Sequence, residues 1–120
     1  MDIVLHETVA GKITEIISDN IVINSIDDTL DLIAEAGLMD SGKIILYENQ
    51  MHPDFFDLKT KLAGEILQKF SNYRMHLAII GDFSKYKSKS LQDFIRECNR
   101  GNRIYFLESQ EAALAKLTKK

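Results

Sequence analysis

Apolar residues recur along this chain at two spacings, and the spacing changes mark the element boundaries. Short runs at strand spacing cover Ile3 to Val9, Lys12 to Ser18, Lys43 to Tyr47, Leu77 to Asp82 and Ile104 to Leu107. Ala10-Gly11 between the first two predicts a hairpin turn, and Ile21 to Ile23 reads as a strand extension. Helical spacing takes over at Ile26, Leu30, Ile33 and Ala34, behind a Ser25/Asp28 capping pair and ahead of a stop at Gly37. A long helix is predicted from Phe55 through Leu58, Leu62, Ile66 and Phe70 to Tyr73, with Lys61, Glu65 and Lys69 opposite. Leu91, Phe94, Ile95 and Cys98 form a further helical stripe, expected to be capped by Ser90 with Asp93 and closed by Gly101 in the left-handed conformation. Ser109 opens a terminal helix with Glu111 early and Lys116, Lys119 and Lys120 late.

Two leading strands followed by alternating helices and strands predict an α/β fold: a mixed, mostly parallel sheet of about five strands, an N-terminal hairpin and about four helices. Strand order does not follow from the pattern. The 120 residues match one domain spanning 1–120, without a linker or repeat. A net charge of -3 argues against broad nucleic-acid binding, and no stretch approaches the ~20 apolar residues of a membrane span. A lone Cys98 and an N-terminus without a leader pattern make the cytoplasm the expected location.

Candidate chemistry gathers in two loops on the carboxyl side of middle strands, the edge where open α/β sheets bind ligands. In the first, Pro53 suits a helix start, and Asp54 and Asp57 complement its free amides. That leaves His52 beside Phe55 and Phe56, which point about 100° apart on a helix, so either Phe56 meets solvent, a ligand or a partner, or both rings are half-buried in the same core. The second loop combines Asp82, Ser84, Lys85, Lys87, Lys89 and Ser90 ahead of a helix, a composition suited to an anion but lacking the Walker A glycines and ending. No metal-ligand spacing, cofactor motif or nucleophile elbow is legible, and Cys98 falls on an apolar stripe. Arg96 and Arg100 read as a solvated helix end, Asn99-Arg100-Gly101 as a helix stop, and His6 and His76 have no readable partner.

Residues 49–60, 62–70 and 97–101 resemble the domain-of-unknown-function 4180 family over nearly the whole chain. The resemblance implies a bacterial, single-domain protein with no activity to carry over. More distantly, Leu77 to Asp82, Arg103 to Phe106 and Glu111 to Leu114 resemble STAS-like domains, the class of the anti-sigma-factor antagonists, which implies a regulatory or ligand-sensing module. The phosphorylatable serine of those antagonists is replaced here by Pro53-Asp54-Phe55-Phe56. Three functions are therefore in contention. The leading one is a non-enzymatic regulatory or ligand-binding module using residues 48–56 and 82–90, with a small anionic ligand or a protein partner and a homodimer among the expected assemblies. The others are a small enzyme with His52, Asp54 or Asp57 as acid or base, and a protein-interaction subunit.

Overall fold

A computed structural model describes residues 1–119. Five strands, β1 (Asp2–Thr8), β2 (Gly11–Ile17), β3 (Ser41–Tyr47), β4 (His76–Ile80) and β5 (Ile104–Leu107), form one sheet in the order β1-β2-β3-β4-β5. β1 and β2 pair antiparallel through a turn in which Gly11 takes a φ of 106°, and every later pair is parallel. The connecting helices are α1 (Ile26–Leu38), α2 (Leu62–Asn72) and α3 (Lys89–Arg100), and α4 (Gln110–Leu117) follows β5.

Sequential strand order has a direct consequence. Three right-handed crossovers that all advance the same way leave their helices on one face of the sheet. The main core lies there, where Ile44, Leu46, Leu77, Ile79 and Phe106 meet Leu32, Ile66, Phe70, Leu91 and Ile95. The alternate residues of the same strands, Ile45, Ala78, Ile80 and Tyr105, point to the other face, which α4 covers with Ala113 and Leu117. Eight residues make a helix about 12 Å long, too little to cover five strands, so the β1–β2 side relies on a polar cluster. There Glu15, 1 % exposed, accepts hydrogen bonds from Tyr47, Gln110 (2.7 Å) and His6 (2.7 Å). Burial alone would raise the Glu15 pKa, but the bonds from Tyr47, His6 and Gln110 outweigh it and the net shift is downward. Burial and that same carboxylate push Tyr47 up to about 12. His6, whose partner is not readable in the sequence, thus ties β1 to the sheet interior.

Several local expectations are corrected. The long helix begins at Leu62, because Pro53–Phe56 and Leu58–Thr60 form separate 3-10 turns and Lys61 takes a left-handed φ of 65° between them and α2. Phe55 and Phe56 are therefore not neighbours on an α-helix, and both rings are buried, at 1 % and 8 % exposure. α1 runs through Gly37 to Leu38, and the left-handed residue that ends it is Asp40. Ser88, not Ser90, caps α3 by accepting from Leu91 N–H (3.2 Å), while Asp93 pairs with Lys89 and Arg96. Gly101 has a φ of -78°, and the helix end is secured instead by Asn99, whose side-chain amide bonds both the N–H and the C=O of Phe106 in β5. Lys120, grouped above with the late lysines, lies outside the described residues.

Candidate functional site

The two loops singled out by the sequence do meet, at the carboxyl ends of β3 and β4. Glu48 is the junction: it accepts from Tyr86 and pairs with Lys85 at 2.7 Å. The approach is close enough that a Cβ at Gly81 would lie 2.6 Å from the Glu48 Cβ, so only glycine fits there. Burial, then the Glu48 bond, drives the Tyr86 pKa well above its ordinary value. Beneath the junction Tyr86 stacks on Phe56 (5.0 Å, 16°), Phe56 meets Phe55 edge-on (5.0 Å), and Phe83 meets Phe106 edge-on (5.3 Å). What remains open is a shallow hollow of about 250 Å³ lined by Glu48, Asn49, Met51, Phe56, Lys85 and Tyr86, among others.

Most of the candidate polar residues in these loops have a local engagement. His52 Nδ1 accepts from Asp54 N–H (3.0 Å), with the Asp54 carboxylate 3.8 Å away, and Asp57 accepts from Lys59 N–H (3.2 Å). Asp82 accepts from the N–H and hydroxyl of Ser84 (3.1 and 2.6 Å), which lowers its pKa. Lys89 is held by Asp93 (2.8 Å), whereas Lys87 and Ser90 are exposed and Lys87 is in no ion pair among the described residues. Phe56 packs against Tyr86 rather than facing solvent.

The opposite end of the sheet has different chemistry. Lys43 opens the apolar part of β3, His76 begins β4, and Arg103 immediately precedes β5. Lys43 and His76 are register partners, and because Leu77 pairs with Ile104, His76 and Arg103 are successive in the same row. Three basic side chains thus stand side by side on adjacent strands, an arrangement that repels when its members are charged. The end of α4 adds Lys116, whose ammonium sits 5.2 Å from the Tyr105 ring centre, and Lys119. A cavity of about 320 Å³ opens among Lys43, His76, Asn102, Tyr105, Lys116, Leu117 and Lys119, and none of these described residues carries a carboxylate.

Compensation is partial. The Lys43 ammonium donates to the Leu117 carbonyl, and Arg103 donates to the Met75 carbonyl at 3.3 Å. A helix C-terminus carries only about half a negative charge, set against four permanent cations here. Among the described residues none of Lys43, His76, Arg103, Lys116 and Lys119 is in an ion pair with an acid. Burial first, then Arg103 and Lys43, hold the His76 pKa below its ordinary value.

Sequence reasoning passed over this row, although its signal is simple: a basic residue directly before Ile44, Leu77 and Ile104, each opening an apolar strand run after a helix. The sequence pattern favours the carboxyl edge, where open α/β sheets bind ligands, but the crevice that serves them forms where strand order reverses. This sheet has no reversal.

The chain's relationships can now be set beside this geometry. Neither a curated protein nor a solved structure matches it. A family model described as "Domain of unknown function (DUF4180)" matches residues 8–117, and the chain therefore belongs to the DUF4180 family.

Proposed function

We propose that this protein is a non-enzymatic regulatory module that binds a small anionic ligand, seated in the basic cavity at the amino-terminal ends of β3, β4 and β5. One observation carries the reading: Lys43 and His76, which stand in register with Arg103, line with Lys116 and Lys119 a cavity of about 320 Å³ to which no described residue brings a carboxylate. An anion converts that repulsion into charge-assisted hydrogen bonds. The volume exceeds a single inorganic phosphate and suits a small organic phosphate or polycarboxylate. The regulatory half of the reading is supported by the resemblance of Leu77 to Asp82, Arg103 to Phe106 and Glu111 to Leu114 to STAS-like domains.

Inorganic phosphate, titrated at constant ionic strength into isotopically labelled protein, tests the seat. Backbone shifts are expected at Lys43, His76, Arg103 and Lys116, and Arg103→Gln with Lys116→Gln should weaken binding by about tenfold or more, roughly 1.4 kcal/mol. Shifts confined to the Asp82–Ser90 loop, or none at either end, would reject it.

A second reading keeps the ligand or partner at residues 48–56 and 82–90, and the hollow floored by Phe56 and Tyr86 favours it. There Lys85, Lys87 and Lys89 would be the anion contacts, with Glu48 competing for the first and Asp93 for the last. Their joint replacement should abolish phosphate shifts in that loop and leave those of the basic row intact.

A further inference from the structure

The two edges of the sheet are treated differently. A free strand edge presents unpaired amides and carbonyls, and proteins blunt such edges when they are to stay unpaired. On β5 the Asn99 side chain occupies the outward N–H and C=O of Phe106 (2.7 and 3.1 Å), copying the two bonds a further strand would make. On β1 no comparable cap exists: among the described residues no side chain bonds the backbone of Asp2 to Glu7. β1 is seven residues long and carries no lysine, no proline and no bulge in its pairing with β2.

The same hairpin is where the apolar surface collects. Of the eight large hydrophobic side chains that remain exposed among the described residues, Met1, Val4, Leu5, Val9 and Ile17 belong to the hairpin or flank it. Isolated exposed leucines need no explanation, but such a concentration on one uncapped edge does.

We propose that β1 pairs antiparallel with β1 of a second copy of this chain, across a two-fold axis at Val4, to make one continuous ten-stranded sheet. The register follows from chemistry. A two-fold perpendicular to the sheet keeps each face in common, so opposed residues must share a face and their numbers must sum to an even value. Centring on Val4 sets Val4 against Val4, Ile3 against Leu5 twice, and Asp2 against His6 twice: apolar against apolar, acid against base. Centring on Leu5 would oppose Ile3 to Glu7 and Val4 to His6. Centring on His6 would oppose Leu5 to Glu7, and centring on Ile3 would oppose Asp2 to Val4. Only the Val4 register matches every pair from Asp2 to His6 by type. It also places the partner's Asp2 beside a His6 that already bonds the buried Glu15 at 2.7 Å, extending the cluster that ties β1 to the sheet. The inference is independent of the anion seat, which lies at the far strands.

Site-specific disulfide trapping tests it, with Cys98→Ser removing the native thiol and single cysteines placed in turn at Ile3, Val4, Leu5 and His6. Opposed residues of an antiparallel pair lie about 4.5–5.5 Å apart at Cα, within disulfide reach, whereas a residue two positions out of register is too far from its own copy. Mild oxidation should cross-link Val4→Cys and leave the other three largely monomeric on a denaturing gel. Sedimentation equilibrium of the otherwise native chain should show a dimer, and Val4→Lys should shift it to monomer while its melting transition persists. A monomer at concentrations up to ~100 µM, weaker than any specific homodimer of interest, would overturn the proposal. So would efficient trapping at Leu5→Cys instead of Val4→Cys, or a dimer indifferent to Val4→Lys.

Discussion

Both ends of this sheet gather cations, Lys85, Lys87 and Lys89 at one and Lys43, His76, Arg103, Lys116 and Lys119 at the other, but the described residues pair them differently. At the carboxyl end Lys85 is matched by Glu48 and Lys89 by Asp93, each within 2.8 Å, and the space below is filled by stacked rings. At the amino end Lys43, His76 and Arg103 stand abreast, joined by Lys116 and Lys119, and a cavity remains. The cause is topological. Without a reversal of strand order the loops after β3 and β4 lean onto one another and close the usual crevice. α4, meanwhile, returns over the opposite face and ends above the strand starts, roofing a basic pocket with its last turn. What differs between the ends is less the density of charge than how much of it the described residues compensate.

The largest expected effect tests whether the carboxyl end is structural. Phe55 is 1 % exposed and touches both Phe56 and Phe106, so Phe55→Ala should cost about 3–5 kcal/mol in chemical denaturation. The folded fraction should still show phosphate shifts at the amino end. If the substitution cost under about 1 kcal/mol, the aromatic cluster would not be the core element described.

Glu48→Ala is the next step down. It leaves the Tyr86 hydroxyl and Lys85 without their shared acceptor, and a loss of about 1–3 kcal/mol is expected, tempered because Lys85 is exposed. The same variant should make the carboxyl end behave more like the amino end, with phosphate shifts newly visible around Lys85. Unaltered phosphate shifts there would mean that pairing with Glu48 is not what silences the lysine loop. Gly81→Ala approaches the junction from the other side: the added methyl would meet Glu48, and about 1–3 kcal/mol should be lost.

The fold was legible to the extent that local pattern determines it. Alternation along β3 and β4, the Ser25 and Ser109 caps and the apolar stripe of α3 all act through near neighbours in sequence, and the structure has them where the spacing predicts. The misreadings share one origin, tertiary contacts overriding local preference. Phe55 and Phe56 fit helical spacing, but Pro53 and the left-handed Lys61 break the segment into 3-10 turns that bury both rings. The helix does stop at Asn99-Arg100-Gly101, but not through a left-handed Gly101: Asn99 bonds Phe106 seven residues on, a contact that depends on where β5 lies. The basic row was hidden for the same reason: Lys43, His76 and Arg103 are about thirty residues apart in sequence and become neighbours only through strand register. His52, Asp54, Ser84 and Lys85 are legible as two clusters because each loop is contiguous in sequence, and the structure brings the two loops together without assigning them a ligand.

The smallest effect distinguishes the two ends by pH. His76 is the titratable member of the basic row; facing it are Arg103, Lys43 and the Gly42 backbone, and Lys116 and Lys119 line the same cavity. Because its folded pKa is depressed, chiefly by burial, the unfolded chain binds more protons between the two values, so this residue makes stability rise with pH across that window. Acidification from neutrality therefore removes stability as pH falls through the ordinary histidine value of 6.5, and the loss levels off below the folded value. An anion in the cavity reverses part of this, since it favours the protonated ring and moves the folded pKa back up. Sulfate is a suitable probe because its charge is constant over this range. The rise in melting temperature that it produces at fixed ionic strength should be larger at about pH 5.5 than at about pH 7.5. His76→Gln should abolish that difference, while His52→Gln, at the carboxyl end, should leave it in place. A sulfate response equally pH-dependent in His76→Gln would detach the titration from the basic row and remove its claim to be the anion seat.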